Sequence, residues 1–366
     1  MFGIKKKLGF GMMRLPTVNE EMDYEKICEM VDYFLAEGFN YFDTAHGYHG
    51  GKSEIAVREC VAKRYPRDSF VLCDKLSVNF FEKQEDIRPL FEKQLELCGV
   101  EYFDVYLMHS QTKDIYAKFR RCNAYEEALK LKAEGKFKHF GISFHDTPEL
   151  LEEILNAYPE IEVVQIQFNY ADYDDPSVQS RRCYEIVRKY GKAVFVMEPV
   201  KGGSLVKLPD AAKGIFTDGS YASYAIRFGA SFEGVEAVLS GMGSIDMVKD
   251  NTSYMKDFKP LSEEEFKKVW LVRDMMLNAD IIPCTDCRYC VSECPQNISI
   301  PDLFACYNGK QRFNDWNPDY YYNHVHTVEK GKASDCIKCG ACEAICPQHL
   351  KITELLETVA QTFEQK

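Results

Sequence analysis

One pattern repeats from residue 8 to about residue 255: a short apolar run rich in Val, Ile and Phe, a polar turn, and a segment with helical spacing. Eight such runs recur at intervals of roughly 25 to 35 residues. They cover residues 8–13, 40–43, 70–73, 103–108, 139–143, 163–168, 193–197 and 235–239. This rhythm predicts a (β/α)8 TIM barrel. An open doubly wound sheet is the alternative, but the number of strands favours closure.

The segments between these runs have the periodicity of helices with one buried face. In residues 24–37 the apolar positions follow the i, i+3, i+4 pattern, and Gly38 can end the helix in a left-handed conformation. Residues 82–97 and 123–133 have the same spacing. No glycine-rich dinucleotide fingerprint follows any of the eight strands, so an open nucleotide-binding sheet lacks its usual motif.

Composition limits the class of protein and its partners. A chain of 366 residues with 46% hydrophobic and 28% charged residues is typical of a globular protein, as two domains or as one large barrel with an appendage. A net charge of -12 argues against a nucleic-acid partner. No apolar run is long enough to span a membrane, and Arg14 and Pro16 interrupt the only candidate for a secretory signal. We expect a cytoplasmic protein that binds neither nucleic acid nor membrane.

Eight of the fifteen cysteines form two tight groups near the C-terminus. Each group fits the CxxCxxCxxxCP run of bacterial ferredoxins, in which the fourth cysteine ligates the other cluster. The pattern predicts two [4Fe-4S] clusters. One is held by Cys284, Cys287, Cys290 and Cys346, and the other by Cys336, Cys339, Cys342 and Cys294. Zinc is the alternative, although a four-thiolate zinc site normally joins two separated CxxC pairs.

Residues 1–275 are therefore predicted to form the barrel, and residues 276–366 a small, mainly helical ferredoxin-like domain. Cys306 lies outside the cysteine register and is expected in the core of this domain. Residues 303–307 can form a helix, and residues 353–363 a final docking helix. An aromatic stretch with Trp316 and Tyr320–Tyr322 is expected to cover the clusters or to dock the tail on the barrel; a substrate lid is the alternative.

Polar side chains end four consecutive barrel strands, where barrels of this kind carry their chemistry. They are Asp43, Lys75, His109 and Ser143, and Tyr48 follows Asp43 in the next loop. A phenol of pKa about 10 donates a proton poorly unless its phenolate is stabilised, and Lys75 held by Asp43 can do this. The set suits reduction of an aldehyde or ketone, or the reverse. Singly, Asp43 could instead cap a helix and Lys75 could be a solvated charge.

Several motifs occur in the order typical of one family. They are Phe42-Asp43-Thr44-Ala45 with Tyr48 and Gly51-Lys52-Ser53-Glu54, Val71-Leu72-Cys73-Asp74-Lys75, Asp104-Val105-Tyr106-Leu107-Met108-His109, and Phe140-Gly141-Ile142-Ser143. On these motifs the first 255 or so residues resemble the aldo-keto reductases. The resemblance implies that Asp43, Tyr48, Lys75 and His109 are the catalytic tetrad. His46 and His49 have no such counterpart and are expected to serve the loop.

The same resemblance implies NAD(P)H as cofactor, with contacts at Ser143, Gln165, Ser240 and Asn251. Two positions differ from the family pattern: Phe144 replaces the usual Asn, and Met247 stands where an Arg commonly meets the adenosine phosphate. The missing cation weakens the case for a 2'-phosphate and favours NADH or weak nicotinamide binding. A buried hydrogen-bonded pair with Gln167 is the alternative role for Gln165.

The leading hypothesis is an oxidoreductase that reduces a carbonyl with NAD(P)H, with Tyr48 as general acid and the clusters serving electron transfer or stability. Because nicotinamide moves electrons in pairs and clusters move them singly, a flavin normally joins the two, and no flavin signature is evident. One alternative uses the same barrel site with electrons from a ferredoxin or flavodoxin. Another is a non-catalytic electron-transfer subunit.

Overall fold

The computed structural model describes residues 2–208, 212–277, 281–313 and 315–364. Eight parallel strands close into a barrel. The barrel strands are β1 (Leu8–Gly11), β4 (Tyr41–Asp43), β5 (Val71–Leu76), β6 (Phe103–Gln111), β7 (Phe137–Phe144), β8 (Val163–Gln167), β9 (Ala193–Met197) and β10 (Val235–Ser240). Their order around the barrel is β1-β10-β9-β8-β7-β6-β5-β4. The predicted barrel and each of its strands are thereby confirmed. A short hairpin, β2 (Thr17–Val18) with β3 (Glu21–Met22), was not foreseen.

Helices follow most strands and form the outer layer of the barrel. They are α1 (Tyr24–Ala36), α2 (Lys52–Val57), α3 (Ile87–Cys98), α4 (Lys113–Arg121), α5 (Ala124–Ala133), α6 (Pro148–Ala157), α7 (Ser180–Lys189), α8 (Tyr221–Ala230), α9 (Ile245–Met255) and α10 (Glu263–Leu277). In α1 the Asp23 side chain caps the helix by accepting from the Lys26 amide, and Gly38 follows its end at a φ of 85°. Helix α3 begins five residues later than predicted, after a 3-10 turn at Gln84–Asp86.

The barrel interior is a packed layer of side chains from the barrel strands. Tyr41, Val105, Val163 and Phe195 are fully buried there. At Gly141 a Cβ atom would lie 2.4 Å from the Val163 carbonyl oxygen, so only glycine fits between β7 and β8. A second, larger core lies between the strands and the helices. The interior layer keeps the strand ends in a fixed register, which positions the side chains at the barrel mouth.

The tail is helical and has a core of its own. Its helices are α11 (Tyr289–Ser292), α12 (Ile300–Phe313), α13 (Asn317–Tyr321), α14 (Ala341–Ala344) and α15 (Ile352–Phe363). Cys306 lies in this core as expected, together with Tyr321 and Tyr322. The tail and barrel interlock, because Val178 of the barrel belongs to the tail core and Phe313 of α12 packs against the barrel core.

The domain boundary predicted after residue 275 falls in the last turn of α10, which runs to Leu277; the exact boundary stays a prediction. Within the described ranges, no helix is both long and apolar enough to cross a membrane.

Candidate active site and iron-sulfur sites

Strand register brings the predicted catalytic residues to one end of the barrel. Asp43 pairs with Cys73 on β5, and Lys75 pairs with Leu107 on β6. His109 lies near the end of β6, and Ser143 near the end of β7. Because parallel neighbouring strands end at the same edge, these side chains share the C-terminal mouth of the barrel.

Asp43 and Lys75 form a buried ion pair at this mouth. The Lys75 Nζ donates to Asp43 Oδ1 and to the carbonyl oxygen of Thr44, each at 2.6 Å. Both side chains are almost fully inaccessible, at 1% and 4% exposure. Burial alone would lower the pKa of Lys75, but the Asp43 carboxylate raises that pKa above its usual value. Lys75 is therefore a permanent cation inside the site.

Tyr48 approaches this cation from the β4 loop. A 3-10 turn (Tyr48–Gly51) folds the loop back, with His49 at a φ of 51° and Gly50 at 63°. The Tyr48 ring centroid lies 5.1 Å from Lys75 Nζ. Burial raises the pKa of Tyr48, while the Lys75 charge acts in the opposite direction. The phenol is therefore protonated at neutral pH, with a cation placed to stabilise its conjugate base.

His109 completes the group. Its ring lies 6.0 Å from that of Tyr48, and its Nδ1 is 2.6 Å from Ser77 Oγ. Burial lowers the pKa of His109 well below its usual range, and the Lys75 charge adds to this effect. A neutral imidazole can donate or accept a hydrogen bond but brings no charge.

The residues predicted to contact nicotinamide lie in different environments. Ser143 Oγ accepts from the Ser110 amide at 2.7 Å, and the buried Gln165 Oε1 has no hydrogen-bond partner in the described parts of the chain. Gln167 donates to Asp172 at 2.7 Å, so its amide nitrogen is not engaged with Gln165 as the alternative required. Ser240 Oγ and Asn251 Nδ2 are buried and bonded to each other at 2.7 Å.

The two positions that depart from the family pattern, Phe144 and Met247, lie in different environments. Phe144 is buried in the core between strands and helices. Met247 is 53% exposed near the start of α9, and its sulfur accepts from the Gly243 amide at 3.5 Å. Neither side chain can make the polar contact that its family counterpart makes.

The eight cysteines of the two runs converge on two separate cavities. The first is lined by Cys284, Cys287, Cys290 and Cys346, and the second by Cys294, Cys336, Cys339 and Cys342. The fourth cysteine of each run thus faces the other run's cavity, as the sequence pattern predicts. Four thiolates per cavity are the donor set that a [4Fe-4S] cluster requires. Cys287 and Cys339 are exposed, so one edge of each cavity is open to solvent.

Other residues near the mouth could not be assigned from the sequence. Ser77 orients His109, and its only signal is its place two residues after Lys75. His145 lies against the tail residues Trp316 and Tyr320. His46 bonds to Glu54 at 2.8 Å, consistent with its predicted role in the loop. Contacts between barrel and tail carry no sequence periodicity, so only the tertiary structure locates them.

Comparison with known proteins shows the family to which the chain belongs. The model of the aldo/keto reductase family matches residues 7–272. The chain belongs to the aldo/keto reductase family. A 4Fe-4S dicluster domain model matches residues 283–350 of this chain, a range that includes all eight cysteines that line the two cavities. The chain thus combines a barrel of this family with a 4Fe-4S dicluster domain that follows it.

Individual relatives are distant. The chain is 26% identical to the NADH-specific methylglyoxal reductase of Escherichia coli over 54% of its own length and 65% of that protein. It is 27% identical to a probable aldo-keto reductase of Glycine max over 44% and 48%. The chain thus spans less than two thirds of the length of both. It is 22% identical to an uncharacterized oxidoreductase of Bacillus subtilis over 71% of its own length and 90% of that protein.

Solved structures share its fold. A holo aldo-keto reductase of Bacillus halodurans superposes with a TM-score of 0.61 at 24% identity, covering 73% of this chain and 91% of that one. An aldo-keto reductase of Klebsiella pneumoniae in complex with NADPH superposes with a TM-score of 0.60 at 19% identity, covering 73% and 90%. At this level of identity the likeness concerns the barrel alone.

Proposed function

We propose that this protein reduces an aldehyde or ketone, with Tyr48 as the proton donor. The observation that carries the proposal is the buried pair of Lys75 and Asp43, 2.6 Å apart, beside the half-buried phenol of Tyr48. A buried cation placed next to a phenol has a chemical use in the transition state, where the departing proton leaves negative charge on the phenol oxygen.

The proposed roles follow from the positions of the groups. The substrate carbonyl oxygen accepts hydrogen bonds from the Tyr48 hydroxyl and from His109, whose Nδ1 is occupied by Ser77. Tyr48 gives its proton to that oxygen as the carbonyl is reduced, and Lys75 stabilises the phenolate. Asp43 balances the charge of Lys75, so that the site pays for one buried ion pair and not for a lone cation.

The residues at the mouth fit a nicotinamide cofactor. The buried Gln165 Oε1, which lacks a partner, can accept an N–H of the carboxamide, and the Ser143 hydroxyl can donate to its oxygen. A bound nicotinamide supplies the hydride for the reaction. The absence of a cation at Met247 favours NADH over NADPH. Ser240 and Asn251 brace the loop after β10, and direct contact with the cofactor remains a prediction.

Replacing Tyr48 with Phe tests the proton donor. We expect the Tyr48→Phe variant to lose roughly 10²- to 10⁴-fold in kcat with an aldehyde and NADH, because the general acid is removed while the ring remains. Tyr33→Phe, which removes a phenol on α1, is the matched control and should keep its rate. Steady-state assays over several aldehydes measure the effect. Unchanged turnover in Tyr48→Phe would refute the assignment.

A second candidate function is reduction of the same substrate with electrons from a ferredoxin or flavodoxin through the tail. The exposed edges at Cys287 and Cys339 favour it, since an external carrier needs access to a cluster. The cysteine cavities fit two [4Fe-4S] clusters, which supply electrons one at a time. A non-catalytic electron-transfer subunit is disfavoured by the complete set of Asp43, Tyr48, Lys75 and His109.

An anaerobic titration with NADH and NADPH separates these functions. Nicotinamide absorbance at 340 nm and cluster absorbance are followed together, with and without an aldehyde. Loss of nicotinamide absorbance only when the aldehyde is present, with cluster absorbance unchanged, supports direct hydride transfer. Turnover that requires a reduced ferredoxin or flavodoxin, and that NADH cannot support, favours the second function.

A further inference from the structure

Ring contacts join the end of one barrel strand to the tail. The ring of Tyr48 lies 6.0 Å from that of His109. His145 directly follows β7, and its amide donates at 3.1 Å to the carbonyl oxygen of Gln111, two residues after His109 on β6. The His145 ring in turn lies 5.5 Å from that of Tyr320 and 6.3 Å from that of Trp316. The iron-sulfur domain therefore reaches the barrel mouth next to the reacting groups.

Two buried side-chain atoms at this junction are polar. His145 Nδ1 and the Tyr320 hydroxyl are buried and have no hydrogen-bond partner among the described residues. His145 is 8% exposed, and burial lowers its pKa to about 4, so its ring is neutral at physiological pH. Buried polar groups without partners are rare because each costs free energy. A ligand whose aromatic ring carries an uncharged polar substituent would satisfy both.

Exposed aromatic surface lies on both sides of the site. Trp316 is 40% exposed beside His145, and Phe80 is 44% exposed beside the loop that carries Tyr48. The Phe80 ring packs at 4.6 Å from that of His46, two residues before Tyr48. Flat aromatic faces favour planar, aromatic ligands over flexible aliphatic ones.

The tail residues are held in place from several directions. Asp315, immediately before Trp316, lies 3.6 Å from the buried Lys201 of the barrel, and Lys201 also bonds Asp172 at 2.6 Å. Phe313 packs on the barrel core, and Tyr321, immediately after Tyr320, is buried in the tail core. Trp316 and Tyr320 are thus fixed before any ligand binds, so binding would not cost conformational entropy for ordering these side chains.

We propose that the tail forms one wall of the substrate site, where Trp316, Tyr320 and His145 bind the planar aromatic part of a carbonyl substrate. This inference rests on the proposed carbonyl reduction and adds the substrate class. The carbonyl carbon lies at Tyr48 and His109, and the aromatic part extends towards the tail. The iron-sulfur domain then determines substrate choice in addition to any role in electron transfer.

Kinetics with a matched pair of substrates tests the wall. In Trp316→Ala the KM for benzaldehyde should rise about tenfold, whereas the KM for propanal should change less than twofold, because only the aromatic substrate reaches the wall. Trp316→Phe, which keeps an aromatic ring, should recover most of the loss. Equal changes for both aldehydes, or none, would overturn the proposal.

Binding without turnover provides a test that does not depend on the reaction. The chain has two tryptophans, so in Trp270→Phe all tryptophan emission comes from Trp316. Without cofactor, benzyl alcohol should change this emission saturably and propan-1-ol should not. In Trp316→Phe, where Trp270 is the reporter, benzyl alcohol should have no effect. A response of Trp316 to NAD⁺ but not to benzyl alcohol would assign the wall to the cofactor and overturn the proposal.

The two readouts separate the two levels of inference. If no aldehyde is turned over but benzyl alcohol still changes Trp316 emission, the proposed reaction fails and the aromatic site stands. If aldehydes are turned over and neither KM nor emission responds at Trp316, the reaction stands and the aromatic wall fails.

Discussion

The pKa values of the catalytic candidates and their neighbours in this barrel depend more on burial and spatial contacts than on the adjacent residues in the sequence. The charges of Asp43 and Lys75 balance each other, and the ion pair keeps a cation beside Tyr48. A second buried group lies on the same strand: Asp74, next to Lys75, faces Glu54, and both carboxyls are fully inaccessible. Burial raises the pKa of Glu54 to about 7, and the neighbouring polar side chains of Asp74 and Gln94 act against this rise. Two carboxyls in one site are stable only while at least one holds a proton.

Glu54 should therefore make stability depend on pH. Its pKa is higher in the folded chain than in the unfolded chain, so the folded state binds more protons between about pH 4.5 and pH 7. Stability should fall as the pH rises through this window, by about 3 kcal/mol relative to the Glu54→Gln variant. Anaerobic thermal unfolding of both proteins from pH 5 to pH 8 measures the difference. Glu92→Gln, on the exposed face of α3, is the control and should follow the wild type; parallel curves for wild type and Glu54→Gln would contradict the prediction.

At the scale of elements, the barrel depends on close contact between β7 and β8. Gly141 lies in this contact, and a side chain there would meet a backbone oxygen and two packed side chains. Because a backbone atom cannot rotate away, the strands themselves would have to separate. That separation would displace Ser143 and Gln165, which are paired across the same two strands. The geometry of the mouth is therefore coupled to interior packing.

Gly141→Ala should destabilise the protein by about 1–3 kcal/mol through overpacking. Gly47→Ala is the matched control, because Gly47 has a φ of -81° and its Cβ would lie 3.5 Å from the Phe80 ring, an ordinary contact. The control should change stability by less than about 0.5 kcal/mol. Thermal unfolding midpoints compare the two. Equal midpoints would show that β7 and β8 can separate at little cost.

At the scale of the whole molecule, helix α12 connects the two cysteine cavities with the barrel. Ile300 at the start of α12 lines both cysteine cavities, and Phe313 at its end packs on the barrel core. A 14-residue helix is about 20 Å long. The cysteine cavities and the barrel core are thus linked by one helix, and the tail residues Trp316 and Tyr320 that follow it contact His145.

The cysteine arrangement predicts iron contents. Anaerobically purified protein should hold about eight irons per chain, and Cys346→Ser should lose roughly half of them because Cys346 completes the first cavity from the second run. Cys306→Ser removes a core thiol that lines neither cavity and should keep the full amount. Colorimetric iron and sulfide assays measure this. Stoichiometric zinc with little iron would contradict the assignment.

Much of the fold could be predicted from sequence patterns that repeat over a few residues. Strand and helix periods are local, so the eight strands, α1 and the final helix could be located from the sequence. The cysteine spacing is local as well, and it indicated which cysteine of each run belongs to the other cavity. Asp43, Lys75 and His109 could be placed at one mouth because parallel strands end together.

What only the tertiary structure decided is how the two parts meet. Nothing in the order of residues indicates that His145 contacts Trp316 and Tyr320, since such contacts join segments more than 150 residues apart and depend on how the tail docks. The protonation of Tyr48, His109 and Glu54 likewise depends on burial, which is a property of the folded state. The sequence by itself determined the barrel, the family and the two sets of cysteines; packing determined which side chains of the tail lie against the end of the barrel.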